Sequence, residues 1–155
     1  MGAEAGDPVV LVNPSEVIEV MKDVPEGKLI TIVEICKIIA KKHGVKACCS
    51  LTTGIFIMTA ANAVEEAARE GTNVNIPYWR TLKADGFLNE KYPGGAEAHK
   101  KLLEKEGFVI RQKGKRYFVS SYRDYLVIHA WASNTKLQTH FEGNASCTHS
   151  SSGLA

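Results

Sequence analysis

Apolar residues fall at helical spacing over most of the first half of the chain. After Asn13-Pro14-Ser15-Glu16, the positions Val17, Val20, Met21 and Val24 recur on one side of a 3.6-residue period, which predicts a helix with one buried face. Asn13 is placed to cap it, Pro14 suits its first turn, Glu16 would close a capping box, and Pro25-Glu26-Gly27 stops it. A second capping box, Thr31-Ile32-Val33-Glu34, opens a helix with the stripe Ile35, Ile38 and Ile39, closed by His43-Gly44. A short joint, Gly44-Val45-Lys46, leads to a third helix. This one is expected to start near Thr52 or Thr53 and to run through Ile55, Met58, Ala61, Asn62, Glu65 and Ala68 to Gly71.

Two helices joined by a short glycine-containing turn are the helix-turn-helix arrangement, and the same pairing also occurs in bundles that touch no DNA. Residues 72–95 show no evident element, although Trp79, Leu82, Phe87, Leu88 and Tyr92 argue for a packed loop. A short helix follows from Gly95 to Glu106, with Gly107 just past its end. Alternation over 108–112 and 116–119 around Lys113-Gly114-Lys115 predicts a β-hairpin, and Arg111, Lys113, Lys115 and Arg116 gather at its tip. The predicted class is mainly α with a small β-hairpin, a winged-helix or helix-turn-helix DNA-binding domain over residues 13–127. An N-terminal segment (1–12) precedes it, and a tail (128–155) rich in Ser, Thr, Asn, Gly and His follows, expected to be disordered or vector-derived.

Composition narrows this only in places. At 155 residues and 45% hydrophobic, the chain fits one globular domain. Cys36, Cys48, Cys49 and Cys147 contain no Cys-x-x-Cys pair, so neither a disulfide framework nor a zinc site is expected, and no metal or other cofactor is called for. No apolar run reaches the ~20 residues of a membrane span. The start Met1-Gly2-Ala3-Glu4 lacks a signal peptide's basic and apolar regions, so a cytoplasmic, nucleoid-associated protein is expected, or a nuclear one in a eukaryote. The net charge of +2 hides an asymmetry. Residues 1–26 hold six acidic side chains against one lysine, and residues 99–127 hold eight basic against three acidic. If the chain meets a polyanion, it does so through its C-terminal part. Phosphate contacts from the hairpin would relieve the mutual repulsion of its basic residues.

Residues Asn75-Ile76-Pro77-Tyr78-Trp79-Arg80, with Gly94-Gly95 fourteen residues after Arg80, carry the sharpest signal. They resemble the active-site segment of the alkylguanine-DNA alkyltransferases, Ile-Pro-Cys-His-Arg followed by a Gly-Gly that opens the last helix. The resemblance runs from about Val17 to about Val119 and includes Val24-Pro25-Glu26-Gly27-Lys28 and the basic hairpin. Tyr78 stands where that family has its alkyl-accepting cysteine, and Trp79 where it has a histidine. A phenol of pKa ~10 in place of a thiol of ~8.5 does not accept an alkyl group at neutral pH. The pattern is therefore similar to the alkyltransferase-like proteins, which keep the DNA-binding fold without the cysteine.

What the resemblance implies is a monomer that binds double-stranded DNA containing alkylated guanine, flips the nucleotide out, leaves the alkyl group in place and supports repair by downstream proteins. It implies a lesion pocket of Pro77, Tyr78, Trp79, Arg80, Tyr92, Gly94 and Gly95, with Tyr78 on its wall and with Trp79 and Arg80 holding the loop. It implies DNA contacts from Thr52, Thr53 and Gly54 at the start of the recognition helix, joined by Arg111, Lys113, Lys115 and Arg116. Two positions depart from the family: its phosphate-pushing tyrosine falls on Ile32, and its arginine finger falls on Ser50 or Leu51. No catalytic residue is assigned. Cys48 and Cys49, just before a helix start that favours thiolate, leave open a displaced acceptor and hence a cysteine methyltransferase. A winged-helix transcriptional regulator and a protein-interaction module are the remaining readings.

Overall fold

The computed structural model describes residues 5–127. The tail beyond 127, with Cys147, His140 and His149, lies outside the described residues. The element order is β1 (Val9–Val10), α1 (Pro14–Lys22), β2 (Ile30–Thr31), α2 (Ile32–Lys42), β3 (Ala47–Cys48), α3 (Ser50–Arg69), β4 (Thr81–Leu82), α4 (Gly95–Lys105), β5 (Ile110–Lys113) and β6 (Arg116–Val119), with one-turn 3-10 helices at Tyr78–Arg80 and Tyr122–Tyr125. Helices α1, α2 and α3 pack together, and the β5–β6 hairpin lies against α4. This is the helix-rich, winged helix-turn-helix type that the hydrophobic pattern predicts. Among the described residues no helix is long and apolar enough to cross a membrane.

Both helix starts form where expected, with their carboxylates used differently. Asn13 caps α1 through its side-chain oxygen, which accepts the Ser15 amide at 3.1 Å. Glu16 does not reach back to close the box. It accepts instead from Lys42 at 2.9 Å and His43 Nε2 at 3.0 Å, clamping α1 to the end of α2, because a lysine ammonium and an imidazole N–H together outcompete a single backbone amide. Thr31 Oγ1 accepts the Glu34 amide at 3.4 Å, while the Glu34 carboxylate turns to Lys37. Helix α3 begins at Ser50, with Cys49 at its N-cap, two or three residues earlier than its sequence suggests. Its buried positions are Thr53, Ile57, Ala60 and Ala61, so the expected stripe beginning at Ile55 is rotated and Ile55 points outward. Small and apolar residues surround this helix on every side, and periodicity alone does not choose its inner face.

Two hydrophobic clusters result. One joins α1, α2 and α3 around Val17, Met21, Ile35, Ile39 and Ile57; the other gathers Leu29, Leu82, Leu88, Leu103, Phe108 and Val119 under the hairpin. Trp79 packs against both. Far from being without structure, residues 72–95 supply β4, which pairs in parallel with β2 in the register Ile30↔Thr81 and Thr31↔Leu82. Their Phe87 bridges Phe118 of β6, and the Leu88 amide donates to the Tyr117 carbonyl at 2.9 Å. The N-terminal segment is likewise tied down, β1 pairing in parallel with β3.

His99 of α4 pins the long loop from within. It is 1% exposed; its Nδ1 accepts the Asn89 amide at 3.1 Å, which leaves Nε2 to donate to the Trp79 carbonyl at 2.7 Å. Burial pushes its pKa down to about 4, so the folded chain holds it neutral. An unfolded histidine titrates near ~6.5, so protons bind preferentially to the unfolded chain as the pH falls below that value. The stability that His99 confers is full above pH ~6.5 and is lost as the pH drops toward the folded value, a change of about 3 kcal/mol. Urea denaturation between pH 7.5 and 4.5 is expected to show this loss in the wild type. His99→Gln is expected to be less stable at pH 7.5 and to decline less steeply; parallel pH profiles would contradict the assignment.

Candidate nucleic-acid interface

The segment that carries the Ile-Pro-Tyr-Trp-Arg signature is held by one carboxylate. Glu106, at the end of α4, accepts from Trp79 Nε1 at 2.9 Å, from Arg80 Nε at 2.9 and 3.1 Å, and from Arg80 Nη2 at 2.7 Å. Arg80 Nη1 also donates to the Val24 carbonyl at 2.7 Å, so the same guanidinium ties the loop to the residue just past α1. Side-chain exposures of 14% and 9% make the Arg80–Glu106 pair largely sheltered, where bidentate geometry strengthens it. Trp79 and Arg80 thus hold the loop, the role expected of them.

Tyr78 lies elsewhere than expected. Its side chain is 1% exposed, within the helical cluster, and its hydroxyl donates to Glu65 Oε1 of α3 at 2.8 Å. Burial, then the Glu65 hydrogen bond and charge, push the phenol above its ordinary range. Tyr78 does not line the nearby cleft. It stands behind Tyr92, edge to face with ring centroids 5.3 Å apart, and Tyr92 forms the wall. A phenol needs an acceptor when buried, and Glu65 draws the ring inward. Pro77 is buried at the start of the 3-10 turn. Gly94 and Gly95 begin α4 and lie away from the cleft lining; at Gly94, with φ 81°, an added Cβ would sit 2.6 Å from the Ala98 Cβ.

That cleft, of about 50 Å³, is bounded by Ile32, Gly54 and Ile57 on the helical side and by Thr81, Leu82, Lys83, Asn89 and Tyr92 on the loop side. Its walls are mostly apolar. Thr81 is 2% exposed, and its Oγ1 has no hydrogen-bond partner among the described residues. The Thr81 carbonyl is satisfied by the Tyr92 hydroxyl at 3.0 Å. Gly54 lets α3 come close to α2 at the cleft, where an added Cβ would lie 3.4 Å from Ile32 Cδ1, in van der Waals contact. Sequence reasoning names Gly54 and Tyr92 but misses Thr81, Asn89 and Ile32 as lining residues, for no local pattern joins positions this far apart. A second hollow, of about 360 Å³, is lined by Thr31, Val33, Glu34, Ala84, Tyr122, Arg123 and Leu126. Its Glu34 carboxylate, with Oε2 unpartnered, makes a poor neighbour for phosphate.

The other expected contacts sit at the surface and in the helix start. Arg111, Lys113, Lys115 and Arg116 are all exposed on the hairpin, whose register Lys113↔Arg116 leaves Gly114-Lys115 as its turn. Arg116 stacks over Phe87 with its guanidinium carbon 4.3 Å from the ring centroid. Phe87 and Leu88 pair with β6 and Asn89 follows them, so the basic hairpin and the cleft wall share one stretch of backbone. Thr52 and Thr53 turn to cysteines instead. Thr52 Oγ1 donates to Cys49 Sγ at 3.1 Å, and Thr53, fully buried, meets Cys48 Sγ at 3.3 Å and Cys36 Sγ at 3.5 Å.

The thiols differ in their surroundings. The Thr52 hydroxyl, and behind it the backbone amides of Thr52 and Leu51, hold Cys49 below its ordinary pKa, whereas burial pushes Cys36 up to about 11. Among the described residues no thiol lines the cleft, and no group of three or more His, Cys, Asp or Glu is placed to hold a metal ion. At pH 8, iodoacetamide is expected to modify Cys49 well before Cys36, read by fragment-ion mass spectrometry, and Thr52→Val is expected to slow Cys49. Equal rates at the two cysteines would contradict the assignment.

Two solved structures that this chain resembles were determined with DNA. S. pombe ATL in complex with DNA shares 18% identity at a TM-score of 0.53, over 73% of this chain and 92% of that one. S. pombe Atl1 in complex with damaged DNA containing O6-carboxymethylguanine shares 19% identity at a TM-score of 0.51, with the same coverage. At this identity the likeness is one of fold. No curated protein sequence matches significantly. A family model, that of the 6-O-methylguanine DNA methyltransferase DNA-binding domain, matches residues 14–108, from the first residue of α1 to two residues before the hairpin. With well over half of its length matched, the chain belongs to the family of the 6-O-methylguanine DNA methyltransferase DNA-binding domain.

Proposed function

We propose that this protein binds duplex DNA and takes an alkylated guanine, flipped out of the stack, into the cleft between α3 and the loop that follows it, without accepting the alkyl group. The observation that carries this reading is the cleft itself. Apolar walls suit the faces of a base and an alkyl substituent, and the single unspent hydroxyl of Thr81 offers a hydrogen bond to a base edge. The similar folds solved with DNA, one of them damaged DNA, support it. At about 50 Å³ the cleft is smaller than a purine, so entry requires the rim to yield. Lys83 is a flexible rim residue paired with exposed Glu90, and the Asn89 amide rests on Met58 Sδ at 3.6 Å, a weak contact.

Recognition without transfer follows from the wall chemistry. Tyr78, in the position of the family's acceptor, is buried, neutral and bonded to Glu65, and the described cleft lining contains no thiol. Binding then leaves the lesion on the DNA, and its removal falls to a downstream repair protein. The exposed hairpin supplies phosphate contacts that are indifferent to sequence.

Two duplexes differing by one O6-methylguanine test the reading. Tighter binding to the modified duplex is expected. Thr81→Val, which keeps the shape and removes the hydroxyl, is expected to cut that preference roughly three- to tenfold. Methyl label on the guanine is expected to stay with the DNA; label on Cys48 or Cys49 would overturn recognition without transfer, and equal affinity for both duplexes would point to a winged-helix regulator.

Replacing Arg111, Lys113, Lys115 and Arg116 together with Ala is expected to weaken both duplexes alike and to reduce the salt slope by about three to four units. An unchanged slope would remove the hairpin from the interface.

A further inference from the structure

We infer that Cys36 and Cys48 are a redox-active thiol pair, which a small-molecule disulfide oxidises to a bridge between α2 and β3. Thr53, fully buried in the first turns of α3, gathers the two sulfurs: Cys36 Sγ lies 3.5 Å and Cys48 Sγ 3.3 Å from its Oγ1. A hydroxyl carries one hydrogen and two lone pairs. Thr53 gives its hydrogen to the Cys49 carbonyl at 2.8 Å, so both thiols act as donors and converge on the same oxygen. Their elements already touch, β3 packing against α2. Both cysteines are only part-buried, which leaves them open to a small reagent.

Cys49 stands outside this pair. Its sulfur is turned to the other threonine and accepts from Thr52 Oγ1 at 3.1 Å. Its neighbour in sequence is Cys48, and adjacent cysteines are poorly placed to meet the geometry of a disulfide. Cys49 can take up a thiol-reactive compound, but it has no resolving partner at the position where Cys36 and Cys48 have each other.

The surroundings set the order of steps. Burial pushes the Cys36 thiol up to about 11; the Thr53 hydrogen bond works against the rise, and the nearby Cys48 sulfur adds to it. Cys36 therefore holds little thiolate at neutral pH, and Cys48 attacks first. The Cys48 thiolate displaces one thiolate from a disulfide RSSR and becomes a mixed disulfide. Cys36 passes its proton to the released thiolate and attacks the Cys48 sulfur, expelling the second thiolate, which takes up the proton that Cys48 had lost to solvent. Two protein thiols are oxidised by two electrons and RSSR is reduced to two RSH. The bridge removes both S–H donors from Thr53 but leaves the hydroxyl's own bond to the Cys49 carbonyl, so the start of α3 keeps its cap.

Residues 37–47, which hold the turn between the two helices, lie within the bridged loop. The oxidation state of two thiols thus sets how firmly the start of α3, with Gly54 in the cleft wall, is held to α2. A fold that brings the sulfurs together before they bond is made more stable by the bond.

The test equilibrates the full chain with mixtures of reduced and oxidised glutathione, quenches free thiols by alkylation and maps peptides by mass spectrometry, with fragment ions that separate Cys48 from Cys49. The expected product has lost two hydrogens, joins Cys36 to Cys48 and reverts with dithiothreitol. Its melting temperature is expected to exceed that of the reduced chain on the order of 5 °C. Cys36→Ser is expected to trap glutathione on Cys48, and Cys49→Ser to form the bridge as the wild type does. The wild-type map decides the pairing whether or not a variant folds. Glutathione on Cys49 with no bridge, or a bridge that uses Cys49 or Cys147, would overturn the pair. So would a Cys36–Cys48 bridge that lowers the melting temperature or leaves it unchanged, because the native fold would then not be what brings the two thiols together.

Discussion

The ion pair between Arg80 and Glu106 is the constraint on which the site depends. A guanidinium that binds one carboxylate twice and also reaches the Val24 carbonyl fixes three parts of the chain at once: the exit of α1, the 3-10 turn and the end of α4. Trp79 adds its indole N–H to the same carboxylate and packs on both hydrophobic clusters. Sheltered charges of this kind contribute little net stability when intact, and removing one partner leaves the other uncompensated. Their value here is positional. They set the backbone from which β4 leaves, and β4 carries Thr81 and Leu82 into the cleft.

From that anchor the rest of the wall is built by neutral contacts. His99 holds Asn89 and the Trp79 carbonyl from opposite ring nitrogens, and Tyr92 reaches back to the Thr81 carbonyl. The loop is long but bonded at several points, which suits a surface that must present a few side chains in register. Its backbone pairs with the hairpin, so a basic tip and an apolar cleft are joined through one stretch of chain. Phosphate attraction and base recognition are thereby separated: one is exposed and salt-dependent, the other enclosed and mostly apolar.

Much of this was legible in the chain, and the failures have physical causes. Caps at Asn13 and Thr31, the glycine after α4 and the alternating hairpin are local signals, and each marks an element that forms. Arg80 and Trp79 hold the loop as their place in the signature implies. Tyr78 turns inward against expectation: order along the chain aligns a residue but does not say which way a ring turns, and the acceptor that decides it, Glu65, is on another element. The inner face of α3 was unreadable because nearly every position from Leu51 to Ala61 is small or apolar. Thr81 and His99 gave no signal, since an isolated threonine or histidine acquires meaning only from the partner it has or lacks.

The central claim is that the cleft between α3 and the loop receives the lesion base. A crystal structure of the protein with a duplex containing one O6-methylguanine tests it most directly. The account predicts the modified base outside the stack, between Gly54 and Tyr92, with a hydrogen bond from or to Thr81 Oγ1 and the methyl group still on the guanine. A modified base that remains stacked in the duplex, with the cleft closed, would contradict it.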